Sequence, residues 1–223
     1  MGKRYISEVI EYKEDPRIVL GMMSSHRWRM DPKVLLFSMA RYKFVSKMLA
    51  GKKNVLEIGC GDGWGAHIVL PEVGKIRCVD MDPLLIEECR NNIKTEGLSF
   101  EVKDLMEGPI TPKSDAIYLL DVLEHVEKKD EDIFLTNITR SMVADGVCIV
   151  GIPSLESQKY ASKPSRKSHV NCKSGVDLRV FLQKYFKNVF LFSMNDEVVH
   201  TGFDKMAHYL LALCVGVKDN VSS

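Results

Sequence analysis

Apolar residues recur along this chain at two spacings, and the switches between them mark out the elements. From Pro32, the residues Leu35, Leu36, Met39, Tyr42, Val45 and Met48-Leu49 return at three- and four-residue steps as far as Gly51. That pattern predicts an amphipathic helix with a glycine stop. Short apolar runs follow at Val55-Leu56-Glu57-Ile58, Ile76-Arg77-Cys78-Val79, Ser99-Phe100-Glu101-Val102-Lys103 and Ala116-Ile117-Tyr118-Leu119-Leu120, each reading as a strand. Helical stretches are predicted at 64–70, stopped by Pro71, at 83–96, with Pro83 near its first turn and Gly97 after it, and at 128–142. A strand at 147–152, a helix at 176–185 and closing strands at 188–194 and 209–217 complete the series. Strands alternating with helices predict an α/β sheet that is largely parallel.

Two stretches break the alternation. Residues 153–174 are rich in Ser and Lys and poor in apolar residues, so they read as a long loop, and loops of that length are usually functional or mobile. The first 20 residues carry no firm pattern and read as an arm or short helix, while 218–223 read as a frayed tail.

The chemistry gathers where the strands end. The first run passes into Gly59-Cys60-Gly61-Asp62-Gly63-Trp64-Gly65, where alternating glycines let backbone N–H groups approach a ligand that a Cβ would push away. The second ends at Asp80, followed by Met81-Asp82-Pro83; the third at Asp104-Leu105; the fourth at Asp121-Val122-Leu123-Glu124-His125-Val126. In an open parallel sheet these carboxyl ends share one edge, which is where ligands bind. An acid closing the second strand can accept both hydroxyls of a ribose.

Taken in order, the Glu-x-Gly-x-Gly-x-Gly loop from Glu57 to Gly63, the Val-Asp-x-Asp-Pro turn from Val79 to Pro83, the Asp104-Leu105 pair and the Asp121 to Val126 stretch resemble a class I S-adenosylmethionine-dependent methyltransferase of the small-molecule type. The likeness covers roughly residues 52–153 and is more specific than any one motif. It implies a seven-stranded, mostly parallel, doubly wound sheet with an antiparallel C-terminal strand and helices on both faces. Residues 1–50 would be an arm and helix able to act as a lid, 51–217 the cofactor-binding core and 218–223 the tail. S-adenosylmethionine is the implied cofactor. Gly59, Gly61 and Gly63, with Cys60 among them, would meet its methionine and ribose parts, and Glu57 would face its amino group, often through water. Asp80 would take the ribose hydroxyls with Met81 beside the adenine, Asp104 and Leu105 the adenine, and Asp121 and Val122 the methionine end. Asp80 also reads as a helix cap, but Asp82 is better placed for that.

For catalysis, His125 lies where the transferred methyl should emerge, and an imidazole there can serve as general base; a structural role for it is equally open. The rival base is His169, in Ser168-His169-Val170-Asn171 at the end of the long loop, which can also be merely solvated. Near the N-terminus, Ser25-His26-Arg27-Trp28-Arg29 offers substrate-binding candidates: Trp28 to stack on a ring, Arg27 or Arg29 to bind a phosphate or carboxylate. The alternative has Trp28 anchoring the arm with both arginines solvated.

Composition narrows the partners. In 223 residues the net charge is +1, which argues against a broad nucleic-acid surface, and 45% hydrophobic residues suit one globular domain. The six cysteines (60, 78, 89, 148, 172, 214) form no C-x-x-C pair, so they read as buried, reduced thiols of a cytoplasmic protein rather than a disulfide framework or a metal site. No apolar run is long enough for a bilayer, and Ile6 spoils a myristoylation signal after Met1-Gly2. The expected partner is a small-molecule acceptor, with neither nucleic acid nor membrane, and a homodimer stays open.

The acceptor is read from what is missing. There is no Asn/Asp-Pro-Pro-Tyr/Phe motif of amino-methylating DNA enzymes and no paired-glutamate loop of arginine methyltransferases. The polar 155–174 loop favours a polar acceptor, and the Arg-Tyr-Lys-Phe helix with the closing strand resembles enzymes that methylate sugars or nucleotide-linked sugars. Rival readings are a methyltransferase of quinones or phenols, a cofactor-binding subunit without turnover, and an aminopropyl transferase, which needs a further acidic site for its amine. A nicotinamide enzyme is disfavoured because glycines at 59, 61, 63 and 65 do not form G-x-G-x-x-G.

Overall fold

The computed structural model describes residues 12–13 and 18–218. The arm expected over the first 20 residues and the tail beyond 218 lie almost wholly outside them.

Eight strands form one sheet: β1 (Asn54–Ile58), β2 (Lys75–Asp80), β3 (Leu98–Val102), β4 (Ser114–Leu120), β5 (Met142–Pro153), β6 (Phe186–Asn195), β7 (Val198–His200) and β8 (Tyr209–Val217). Their order is β3-β2-β1-β4-β5-β8-β6-β7. The first five are parallel, while β8 is antiparallel to both β5 and β6. The predicted doubly wound sheet is present with one addition, the three-residue β7 paired to the end of β6. Three residues are too few to show an alternating pattern in sequence, which is why this strand escaped prediction.

Helices α1 (Met22–Met30), α2 (Lys33–Met48), α3 (Ala66–Val69), α4 (Pro83–Asn92), α5 (Glu131–Arg140), α6 (Lys163–Ser168) and α7 (Gly175–Leu182) accompany it. Alternate strand residues feed two separate cores. On one face Val55, Ile76, Cys78 and Tyr118 pack with Val45 and Leu49 of α2, Val69 of α3 and Ile86 and Cys89 of α4. On the other, Leu56, Ile58, Ile117 and Leu119 meet Phe134, Leu135 and Ile138 of α5 and Leu178, Phe181 and Leu182 of α7. At roughly 1.5–3 kcal/mol per fully buried large apolar side chain, these two layers supply most of the stabilisation of the fold.

Several element ends differ from expectation. Helix α4 stops at Asn92 rather than at 96. The segment after the glycine loop is a single helical turn that tightens into a 3₁₀ turn at Leu70–Glu72, with Pro71 inside that turn rather than stopping the helix before it. Strand β5 starts at Met142, where the predicted helix was to end. The long polar loop is also more ordered than its composition suggests. It holds a 3₁₀ turn at Glu156–Tyr160 and α6, capped by Ser162 through its hydroxyl and Ser165 N–H. Its ends are pinned by the Ser154–Lys173 bridge and by a buried network in which Lys173 Nζ donates to Glu131 Oε2 at 2.6 Å and Asn171 donates to the same oxygen at 2.8 Å.

All six cysteines are free thiols, five of them buried and Cys172 partly so. Among the described residues no helix is long and apolar enough to cross a membrane.

Candidate active site

The carboxyl ends of β1, β2 and β4, with the turn after β3, enclose a cavity of about 370 Å³ lined by Gly59, Gly61, Asp80, Met81, Asp104, Leu105, Asp121, Val122 and His125. That volume lies within the range of small-molecule sites. Eight of the eleven cofactor residues read from the sequence thus line one cavity at one sheet edge; Cys60 lines an adjoining hollow, and Glu57 and Gly63 line neither.

The glycine loop is held by β2. The N–H groups of Gly59 and Cys60 both donate to Val79 O, at 2.8 and 3.1 Å, and Gly61 N–H donates to Asp80 Oδ2 at 2.9 Å. Gly59 has φ +72° and lies so close to Val122 that a Cβ would come within 2.3 Å of Val122 Cγ2, so both torsion and space demand glycine there. Gly63 serves a different purpose. It also has a left-handed φ, but a Cβ on it would strike Phe100 and Cys89 in the core, and it lines neither hollow.

Asp80 takes two backbone N–H groups, Gly61 on one oxygen and Asp82 on the other at 3.0 Å. Each carboxylate oxygen retains acceptor capacity for a hydroxyl. Asp82 caps α4 by accepting from Leu84 N–H at 2.9 Å, as its spacing from Pro83 predicts. Asp104 accepts from Met106 N–H through Oδ1 at 2.8 Å, and Leu105 is buried beside it.

Glu57 sits beneath the loop rather than on the cavity wall. It is buried, one oxygen accepts from Tyr42 O–H at 3.0 Å, and the other is buried without a partner. Burial drives its carboxyl from 4.5 up to about 7, against the downward pull of the Tyr42 hydrogen bond. Tyr42 itself reaches a second, smaller hollow of about 90 Å³ with Cys60, Arg27, Ser38, Arg41 and Asp121. The two hollows share Met23, Gly59, Gly61 and Asp121.

Asp121 has φ +57°, an unusual torsion for a non-glycine residue. Arg41 Nη1 donates to its Oδ2 at 2.7 Å, and the guanidinium stacks 3.7 Å from the centroid of the Tyr209 ring. Sequence reading singled out the helix carrying Arg41 but gave the residue no role. The available signal was a charge set within the stripe Leu35, Ser38, Tyr42, Val45, three of which are buried.

Helix α1 lies across the loop. Ser24 donates to Asp62 from both N–H, at 2.7 Å, and hydroxyl, at 3.1 Å, and Met22 N–H donates to Glu88 at 3.0 Å. Two carboxylates thereby satisfy the open N–H groups at the helix start. Arg27 faces the smaller hollow, whereas Trp28 is 55% exposed and, like Arg29, lines none of these hollows.

His125 and His169 are brought together. Their ring centroids are 5.2 Å apart in an edge-on arrangement, at the rim of the cavity beyond Asp121. Burial, then the neighbouring His125, lowers His169 below 6.5. Behind them Glu124 is fully buried with neither carboxylate oxygen partnered, and burial followed by the Asp121 charge raises it to about 9.

Residues 55–146 match the family model for a methyltransferase domain. The fold is similar to a chain in the complex between the Haloferax volcanii Trm112 methyltransferase activator and a methyltransferase, at 15% identity, TM-score 0.68, covering 89% of this chain and 99% of that one. It is also similar to the N-methyltransferase NodS from Bradyrhizobium japonicum bound to S-adenosyl-L-homocysteine, at 17% identity, TM-score 0.63, covering 85% and 91%. A third likeness is to human N-acetylserotonin methyltransferase bound to S-adenosylmethionine, at 16% identity, TM-score 0.61, covering 80% and 52%. No curated protein matches the sequence.

Proposed function

We propose that this chain, a class I S-adenosylmethionine-dependent methyltransferase, methylates a polar small molecule of the sugar or nucleotide-linked sugar type at an oxygen or nitrogen presented to His125 and His169. The observation that carries the acceptor class is the polar contact set over the rim: His125 contacts Ser168 O, and His169 contacts the Gln158 side chain. A quinone or phenol would want an apolar wall at that place.

The residues present fit the cofactor. Asp80 has spare acceptor capacity, Gly59 forms a cradle that a Cβ would fill, and the unpartnered oxygen of Glu57 suits an amino group reached through water, its other oxygen being taken by Tyr42 O–H. When bound, S-adenosylmethionine supplies an electrophilic methyl carbon whose bond to sulfur breaks, with the electron pair staying on sulfur, as the acceptor's bond forms. The chain's part is mainly to hold both reactants in line, which can contribute several kcal/mol to lowering the barrier. Asp80, Asp104 and Leu105 fix the nucleoside end. Asp121, kept in its strained turn by Arg41, and Val122 fix the end from which the methyl departs. His125 and His169 bind the acceptor's nucleophilic atom and ease loss of its proton. Met23 of α1 lies over Gly61 and lines the cavity beside it.

Two rivals fare worse. An open cavity reaching His125 favours turnover over a purely cofactor-binding subunit. Aminopropyl transfer needs anionic groups for a cationic amine, yet the Asp121 charge is spent on Arg41, and Glu124 is held protonated at neutral pH.

The test is transfer of a labelled methyl group across a panel of nucleotide sugars, free sugars, quinones and phenols. Turnover on sugar-type acceptors supports the reading; turnover on quinones or phenols alone overturns it.

A further inference from the structure

We propose that Glu124, His125 and His169 form a binding site for a divalent first-row transition ion, with open coordination positions turned toward the acceptor. One donor atom from each lies within 4.8 Å of the other two, and His125 Nε2 stands 4.0 Å from Glu124 Oε1. Donors around an ion with bonds of about 2.1 Å are about 3 Å apart. Rotations moving these atoms by about an ångström therefore close the set.

Three features mark this as more than a chance grouping of polar residues. The first is the hydrogen bonding of the imidazoles. His125 Nδ1 is 3.0 Å from Ser168 O, and His169 Nδ1 is 2.9 Å from Gln158 Oε1. A backbone carbonyl can only accept, so His125 must carry its proton on Nδ1. The Gln158 oxygen is likewise fixed as the acceptor, because its amide nitrogen is turned to Ser154 O and Ser157 Oγ. Both rings thereby present a bare Nε2 lone pair, the orientation that outer partners impose on metal-bound histidines.

The second feature is Glu124 itself. Its side chain is fully buried with both oxygens unpartnered, a costly arrangement that a cation would relieve. No other described cation reaches it by hydrogen bond, since the nearby Arg41 is committed to Asp121. The third is that the two histidines are tied together by backbone as well: Val170 and Asn171 N–H both donate to Glu124 O, at 2.9 and 3.0 Å. The 155–174 loop is thus fastened to the turn after β4 at the very residues that would share the ion.

Two neutral imidazoles and one carboxylate, without thiolate, select an ion of the manganese to zinc series and leave positions free for a substrate oxygen. An ion there would hold the acceptor's hydroxyl and make it more acidic, its proton passing to solvent. This deepens the function proposed above and rests on it for that role. The binding itself does not depend on the acceptor.

The experiment uses the full chain, stripped with chelator and titrated calorimetrically with Mn²⁺ and with Co²⁺, whose visible absorption reports nitrogen coordination. S-adenosylhomocysteine affinity is measured on every sample. One equivalent is expected to bind, with affinity falling at least about 100-fold in His169→Ala and about tenfold in Gln158→Ala, while S-adenosylhomocysteine binding stays within about twofold of the parent. Glu124→Gln should lose the ion while remaining folded, because it replaces a carboxyl that can release its proton on binding a cation with an amide of the same shape that cannot become anionic. The inference is overturned if neither ion binds, or if His169→Ala and the parent bind alike. S-adenosylhomocysteine binding without metal binding would sink this inference and leave the methyltransferase reading intact; metal binding without S-adenosylhomocysteine binding would do the reverse.

Discussion

Replacing Glu57 by Gln isolates what a buried carboxyl costs this fold. Burial raises Glu57 from 4.5 in the unfolded chain to about 7 in the folded one. Between those values the folded state holds a proton that the unfolded state has released. Stability is therefore full below pH 4.5, falls as pH rises, and levels off above about 7. At about 1.4 kcal/mol per tenfold change in proton affinity, the loss is about 3 kcal/mol. Gln keeps the acceptor for Tyr42 O–H and has no proton to lose, so the variant escapes this loss. Glu124, raised from 4.5 to about 9, loses stability over a wider window that is the same in both proteins and cancels in the difference. Denaturant unfolding of both proteins at pH 4.5, 6, 7 and 8 is the assay. The expected result is near-equal stability at pH 4.5 and a variant more stable by about 3 kcal/mol at pH 8, paired with S-adenosylhomocysteine affinity lower by about tenfold, as for one hydrogen bond to a charged group. A difference that does not change with pH would refute the reasoning.

Three further outcomes follow from the contacts. Gly59→Ala, which meets Val122 Cγ2 at 2.3 Å from a left-handed backbone, should cost roughly 1–3 kcal/mol and abolish cofactor binding, checked by thermal melting and calorimetry. Arg41→Ala removes the partner of Asp121; because Asp121 keeps 35% exposure, the cost should be about 2 kcal/mol rather than the 3–5 typical of fully buried pairs, read by chemical denaturation. Lys173→Met leaves Glu131 buried without its cation and should destabilise by about 3 kcal/mol, with hydrogen exchange rising first in residues 155–174.

Much of the fold was legible because buried parallel strands write themselves as apolar runs, and the acids and glycines at their ends stand out against them. Asp82 as the α4 cap and β8 at 209–217 were read directly. What was not legible depended on distance in sequence. Gly63 looks like its neighbours in the loop, and only the position of Phe100, brought in by β3, shows that it is a packing glycine. Arg41 and Asp121 are 80 residues apart, and nothing local pairs them. His125 and His169 read as rivals because 44 positions of chain separate them; the loop's attachment to Glu124 O makes them neighbours. The loop's order was hidden for the same reason: its composition is polar, but Lys173 and Asn171 meet Glu131 in the interior.

The measurement that bears most directly on the account is calorimetric titration of the chain and of Asp80→Ala with S-adenosylmethionine and S-adenosylhomocysteine. Asp80 both organises the glycine loop through Gly61 N–H and offers its oxygens to the cavity. The account predicts binding near the micromolar range, about −8 kcal/mol, that is lost in the variant. Absence of binding to either ligand in the parent chain would contradict it.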